Sequence, residues 1–117
     1  MGLSTHVLDT MHGVPAAGMQ VTLFTVQAGA ATLVKQFTLN RDGRNPDGLL
    51  YDDKSLQRGH YRLVFDVAAY FSDQQVELPE PNFLNLVSLD FAVAHADQHY
   101  HVPLLVSPWS YSTYRGS

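Results

Sequence analysis

The amino-acid sequence predicts an all-β domain, two sheets packed face to face with one short helix. Three observations carry that expectation. Apolar residues recur at alternate positions in short runs, the period of strands that bury one face. Clusters of Gly, Pro, Asn and Asp cut those runs at short intervals, as turns do. A single stretch, residues 68–75, reads as helix and lasts about two turns. Seven or eight strands with one brief helix suit a two-sheet sandwich, whereas a doubly wound α/β fold needs several crossover helices.

In chain order, residues 3–8 alternate and end on a turn cluster of Asp9, Thr10, His12 and Gly13, followed by Val14-Pro15. Residues 18–26 form the next run, with Met19, Val21, Leu23 and Thr25 on one face. Ala28 to Ala31 is a small-residue hairpin link into a strand over 33–39. Asp42-Gly43 marks a tight turn. Residues 45–58 are polar and loop-like, with room for one short strand near Leu49–Tyr51. Gly59 opens a clear strand, with Tyr61, Leu63, Phe65 and Val67 on one face and Arg62, Val64 and Asp66 on the other. The helix over 68–75 comes next. Leu78-Pro79-Glu80-Pro81-Asn82 is loop, because two prolines remove donors and fix φ. Runs at 84–94, 98–107 and 110–114 supply three closing strands.

The 117 residues fit one domain spanning the whole sequence. Apolar residues make up 45%, enough for a core without staples. The absence of cysteine excludes disulfides, thiolate zinc sites and a cysteine nucleophile. Eleven acidic residues against seven basic ones leave a formal charge of −4, so a nucleic-acid partner would lack its main electrostatic attraction. No apolar run approaches the roughly 20 residues that span a bilayer, so no membrane partner is expected. Residues 1–6 lack a basic run followed by an apolar stretch, so no secretory leader is expected, and the expected location is cytoplasmic.

Three features stand out chemically. His99 and His101 flank Tyr100, so on a strand both imidazoles point to one face. Arg44 directly follows the Asp42-Gly43 turn, a good place for a fixed planar donor fork. Ser112-Thr113-Tyr114-Arg115-Gly116-Ser117 is a polar end after an apolar strand, and it reads either as a frayed tail or as a docked one. Taken singly, each feature has an ordinary surface explanation, and His6 alone reads as a packed or surface histidine. A three-histidine metal site from His95, His99 and His101 would have to bridge a turn, and no resident metal is expected. A triad built from Ser107 or Ser117 with His101 and Asp90 lacks a Gly-x-Ser-x-Gly elbow.

Separate segments converge on one family. Leu3-Ser4-Thr5-His6-Val7-Leu8-Asp9 with Gly13-Val14-Pro15-Ala16, then Asp42-Gly43-Arg44, then His99-Tyr100-His101-Val102-Pro103-Leu104-Leu105-Val106-Ser107-Pro108 with Tyr111 to Ser117, resemble the signatures of the 5-hydroxyisourate hydrolases, the transthyretin-related proteins. The resemblance runs over nearly the whole chain. It implies a transthyretin-like β-sandwich and hydrolysis of 5-hydroxyisourate to 2-oxo-4-hydroxy-4-carboxy-5-ureidoimidazoline in urate breakdown. It implies His6, Arg44, His101 and Ser117 as catalytic residues, with His6, Arg44, Tyr114 and Ser117 holding the substrate. No metal or organic cofactor is implied, and the assembly is a homotetramer, a dimer of dimers, with sites in the channel between dimers. On this expectation His6 and His101 share water activation and proton delivery, while Arg44 stabilises charge. The alternative is a transthyretin-like carrier that binds a small hydrophobic ligand in the same channel without turnover. Two segments depart from the family pattern: Phe83-Leu84-Asn85-Leu86-Val87 stands where an aromatic-Pro-Glu-Val stretch is usual, and Trp109-Ser110 stands for Tyr-Gly.

Overall fold

The computed structural model describes residues 2–116. Among them are nine strands and one helix: β1 (Gly2–Asp9), β2 (Val14–Pro15), β3 (Gln20–Gln27), β4 (Ala30–Thr38), β5 (Tyr51–Asp52), β6 (Gly59–Asp66), α1 (Val67–Asp73), β7 (Leu86–Val93), β8 (Tyr100–Val106) and β9 (Tyr111–Thr113). They form two sheets. One runs β2-β1-β8-β9 with β5 also on β1, and the other runs β4-β3-β6-β7. The predicted sandwich is the observed architecture, and its core comes from the facing sides of both sheets. Leu3 and Val7 of β1, Val21 and Leu23 of β3, Leu63 and Phe65 of β6 and Leu104 of β8 are completely buried. The strict alternation on β6 is the pattern read from its sequence: Tyr61, Leu63 and Phe65 face inward while Arg62, Val64 and Asp66 stay half-buried.

Local chemistry sets the details. The link between β3 and β4 is shorter than the sequence suggested. Ala28 and Gly29 both take positive φ, 51° and 80°, the two-residue turn that matches strand twist. Ala30 and Ala31 are therefore already in β4, paired with Gln27 and Val26. The short strand expected near Leu49–Tyr51 forms at Tyr51–Asp52, where it pairs with Leu3 and Gly2. The helix starts at Val67, one residue earlier than expected, because the Asn85 carbonyl accepts the Val67 and Ala68 N–H groups that open it. Val67, Tyr70 and Phe71 then lie on one helical face and are buried. No helix among the described residues is long and apolar enough to cross a membrane.

Strand β1 joins the two halves of its sheet. It runs parallel to β8 along one edge, with Ser4 opposite His101 and His6 opposite Pro103. Its other edge is filled piecewise by β5 at the start and β2 at the end. Between them the Val7 N–H donates to the Gly43 carbonyl (2.9 Å) and the Val7 carbonyl accepts from Ala16 N–H (3.0 Å). The Gly43 turn is thus stitched to the middle of β1.

Candidate active site

Alternation on β1 sends Leu3, Thr5, Val7 and Asp9 into the interior and leaves Ser4, His6 and Leu8 half-buried on the outer face. In a parallel pair, opposed residues share a face, so Ser4, His6 and His101 project from the same side of the sheet. Ser4 Oγ lies 2.8 Å from His101 Nδ1 and 3.3 Å from His99 Nε2. Both histidines of the His-Tyr-His segment lie on one face, as their spacing predicted, and both reach the Ser4 hydroxyl.

Arg44 arrives from the opposite edge of β1. Asn40 Oδ1 accepts the N–H groups of Asp42 (2.9 Å) and Arg44 (3.1 Å), and the Asn40 N–H donates to the Arg44 carbonyl at 2.9 Å. This closes a tight turn of the Asx kind. Gly43 sits in it with φ 74°, and a Cβ there would lie 2.5 Å from the Val7 carbonyl oxygen. Only glycine allows the turn to dock so closely. The turn brings the exposed Arg44 guanidinium within electrostatic reach of both His6 and His101.

Burial and nearby charge favour the neutral form of both imidazoles. Burial first, then the Arg44 charge, lowers His6 below the ordinary histidine value. A hydrogen bond from its ring to the Asp42 backbone carbonyl and the Asp42 charge oppose that shift. His101 is lowered by burial, by Arg44, by His6 and by His99. Neutral imidazoles at neutral pH can take or present protons, and a nearby guanidinium can stabilise a growing negative charge. Among the described residues no three His, Asp or Glu side chains form a candidate metal cluster.

The chain's end is docked against this face as far as it is described. His101 and Gly116 exchange backbone hydrogen bonds at 3.3 and 2.7 Å. Thr113 Oγ1 donates to the Pro103 carbonyl at 2.6 Å. Arg115 lies over the Tyr100 ring at 4.0 Å, and its Nη2 donates to Gln98 Oε1 and the His99 carbonyl, both at 3.1 Å. Ser117, an expected catalytic and substrate-holding residue, lies outside the described residues. Tyr114 is placed elsewhere: it is 60% exposed and lines a cleft of about 460 Å³ with Tyr111, Tyr100 and Phe91, at the open edge between β7 and β9. Within one chain the structure therefore brings His6, Arg44 and His101 together, and leaves Tyr114 apart from them. Ser4 and His99 belong to the cluster as well. Ser4 lay inside a recognised segment without being singled out, although its position two residues before His6 on one strand face was a usable signal.

A transthyretin-like sandwich with a histidine and arginine cluster on the outer face of its β1–β8 pair defines the class of protein. Residues 3–116 match the HIUase/Transthyretin family. The chain belongs to that family. It is 50% identical over 115 residues to 5-hydroxyisourate hydrolase 2 of Rhizobium meliloti (strain 1021), covering 98% of this chain and 95% of that protein. It is 41% identical to 5-hydroxyisourate hydrolase of Mus musculus, covering 98% and 94%. Among solved structures, it superposes on Klebsiella pneumoniae 5-hydroxyisourate hydrolase with a TM-score of 0.76 at 31% identity, over all of both chains. It superposes on sea bream transthyretin in complex with thyroxine with a TM-score of 0.83 at 27% identity, over 99% and 95%. It also matches (S)-allantoin synthase with a TM-score of 0.92 at 42% identity, spanning 99% of this chain but 43% of that one.

Proposed function

We propose that this chain is an enzyme that hydrolyses 5-hydroxyisourate to 2-oxo-4-hydroxy-4-carboxy-5-ureidoimidazoline, in the breakdown of urate. One feature carries the reading: His6, His101 and Arg44, from three separate parts of the sequence, meet on the outer face of the β1–β8 pair, where burial and the Arg44 charge lower both imidazole pKa values. Opening the ring needs a water aimed at a carbonyl, a group to take its proton, and positive density where the oxyanion grows. Neutral imidazoles meet the first two needs. Arg44 meets the third, and its planar fork also suits a planar anionic substrate. The named hydrolases related to this chain over nearly its whole length support the same reading. The reading calls for no metal or cofactor.

The reading includes a homotetramer, a dimer of dimers in a cytoplasmic setting, in which a second copy covers the open face. The reading also gives Ser117 a part in catalysis and substrate holding, and has Tyr114 reach substrate across a subunit contact. Exposed apolar side chains near the sandwich edge, among them Leu86, Trp109 and Tyr111, support assembly. Light scattering on the purified protein tests the tetramer, and cell fractionation tests the location. Ligand carriage without turnover is disfavoured by the polar, titratable character of this face.

The deciding experiment generates 5-hydroxyisourate freshly from urate and follows its ultraviolet decay with and without the protein. Decay well above the spontaneous rate is expected. Decay at the spontaneous rate, with ligand bound but unconsumed, would favour the carrier.

A further inference from the structure

We infer that Ser4 and His99 lock His101 with its proton on Nε2, so that His101 meets the substrate as a neutral hydrogen-bond donor and His6 serves as the base. This lock rests on the hydrolytic reading and divides the two histidine roles that it leaves shared.

A hydroxyl has one proton to give. Ser4 Oγ stands 2.8 Å from His101 Nδ1 and 3.3 Å from His99 Nε2 and has no other hydrogen-bond partner among the described residues, so its proton goes to one nitrogen while it accepts from the other. Two arrangements are self-consistent, and His99 Nδ1 chooses between them. That atom is buried and has no hydrogen-bond partner among the described residues. An orphaned buried N–H is rarer in proteins than an orphaned acceptor. The His99 proton therefore sits on Nε2 and is given to Ser4. Ser4 in turn donates to His101 Nδ1, which leaves the His101 proton on Nε2.

Ring reversal at His101 is opposed from the other side. A Cβ on Gly116 would lie 2.9 Å from His101 Cδ2, so the tail packs along the carbon edge of the imidazole. The two backbone hydrogen bonds between His101 and Gly116 hold that contact. The Nδ1 edge faces β1, where Ser4 is. Flipping the ring would exchange the Ser4 hydrogen bond for a carbon contact.

His6 has the complementary arrangement. With His101 held as a donor, His6 is the imidazole left on this face to accept a proton. Arg44 acts on both rings and opposes a positive charge on either. In the reaction, the water oxygen bonds to the substrate carbonyl carbon as its proton moves to the bare His6 nitrogen. The carbonyl electron pair moves onto oxygen, where the His101 Nε2–H can hydrogen-bond it. On collapse the carbon–nitrogen bond breaks, and the leaving nitrogen takes the proton from His6. His101 ends as it began, the role a neutral imidazole can fill without becoming an anion.

The test compares a glutamine with a phenylalanine at each histidine. The glutamine amide supplies an N–H donor near the Nε2 position but no basic lone pair. His101→Gln should keep turnover within about ten-fold of the parent, while His101→Phe should lose about 10²-fold or more. His6→Gln should be as slow as His6→Phe, because no donor replaces a base. Equal turnover for His101→Gln and His101→Phe, or a His6→Gln clearly faster than His6→Phe, would overturn the division of roles. Ser4→Ala should lower kcat roughly ten-fold with KM little changed, and Ser4→Thr should restore it. A Ser4→Ala variant with parental kcat would refute the lock. Long-range proton–nitrogen spectra of the unmodified protein at neutral pH should show His101 protonated at Nε2 alone, and a proton on Nδ1 instead would sink the proposal. The spectrum does not depend on turnover, so failure of the hydrolytic reading and failure of the lock remain separable.

Discussion

Strand β1 carries two polar clusters that differ in kind. At its C-terminal end Asp9 is completely buried, yet every neighbour serves it: it accepts from His12 N–H (3.0 Å), His12 Nδ1 (2.6 Å) and Tyr70 Oη (2.8 Å). Burial pushes this carboxyl up, but the hydrogen bonds from His12 and Tyr70 outweigh it and leave its pKa lowered. The same bond lifts the Tyr70 hydroxyl well above its usual range, behind the effect of burial. The network ties the turn after β1 to α1. A few residues earlier, Ser4, His6, His99 and His101 are only half-buried beside the exposed Arg44, and among the described residues they pair no opposite charges and leave a buried ring nitrogen without a partner. A charge that is enclosed and fully satisfied holds structure together. Titratable bases gathered beside a cation are arranged for chemistry.

The contrast can be disrupted at either end. The largest effect is expected from Asp9→Ala, which strands the buried Tyr70 hydroxyl and removes the partner of His12. Chemical denaturation should show a loss of about 3 kcal/mol, with the turnover of the folded fraction unchanged. Arg44→Lys should do the reverse: roughly 10²-fold lower kcat/KM, since a point charge cannot reproduce the fork, with an unchanged melting midpoint. Equal loss of stability in both variants would erase the distinction drawn between the clusters. Gly116→Ala presses a Cβ onto the His101 ring and should cost about ten-fold in turnover while the fold survives.

Titration separates the two clusters through smaller effects. His6 and His101 have pKa values below the ordinary 6.5, so they stay neutral under mildly acid conditions, and the acid limb of kcat/KM should fall below that pH. As pH drops below 6.5 the unfolded chain takes up these protons first, so stability declines over the same interval. Asp9 behaves differently. Its contribution is present above the ordinary carboxylate range and disappears as pH falls through its lowered pKa. In Asp9→Ala the deeper acid loss should vanish and the histidine part should remain, which stability curves against pH would show.

Much of this was legible in the chain. The inward face of β6 followed from alternation, and the turn at Asp42-Gly43 from its residue types. The shared aim of His99 and His101 followed from strand period alone. What escaped was of two sorts. The turn at Ala28-Gly29 depends on positive φ at an alanine, which local propensity does not favour. The start of α1 depends on the Asn85 carbonyl, which belongs to a distant segment. In the two departures from the family pattern Phe83 is 79% and Trp109 59% exposed, whereas Val87 is buried in the core and Leu84 packs against it.

Residue type, period and spacing were enough for the fold class and the core-facing positions, because those depend on local backbone geometry and apolar pattern, while the set of His6, Arg44 and His101 was marked out only by the family resemblance. Three-dimensional packing alone decided that β1 lies parallel to β8 with Ser4 opposite His101, and that the Gly43 turn docks on the other edge of β1. Those are contacts between segments dozens of residues apart. A hydroxyl reaches two imidazoles there because sheet register, which no short window of sequence encodes, sets their separation.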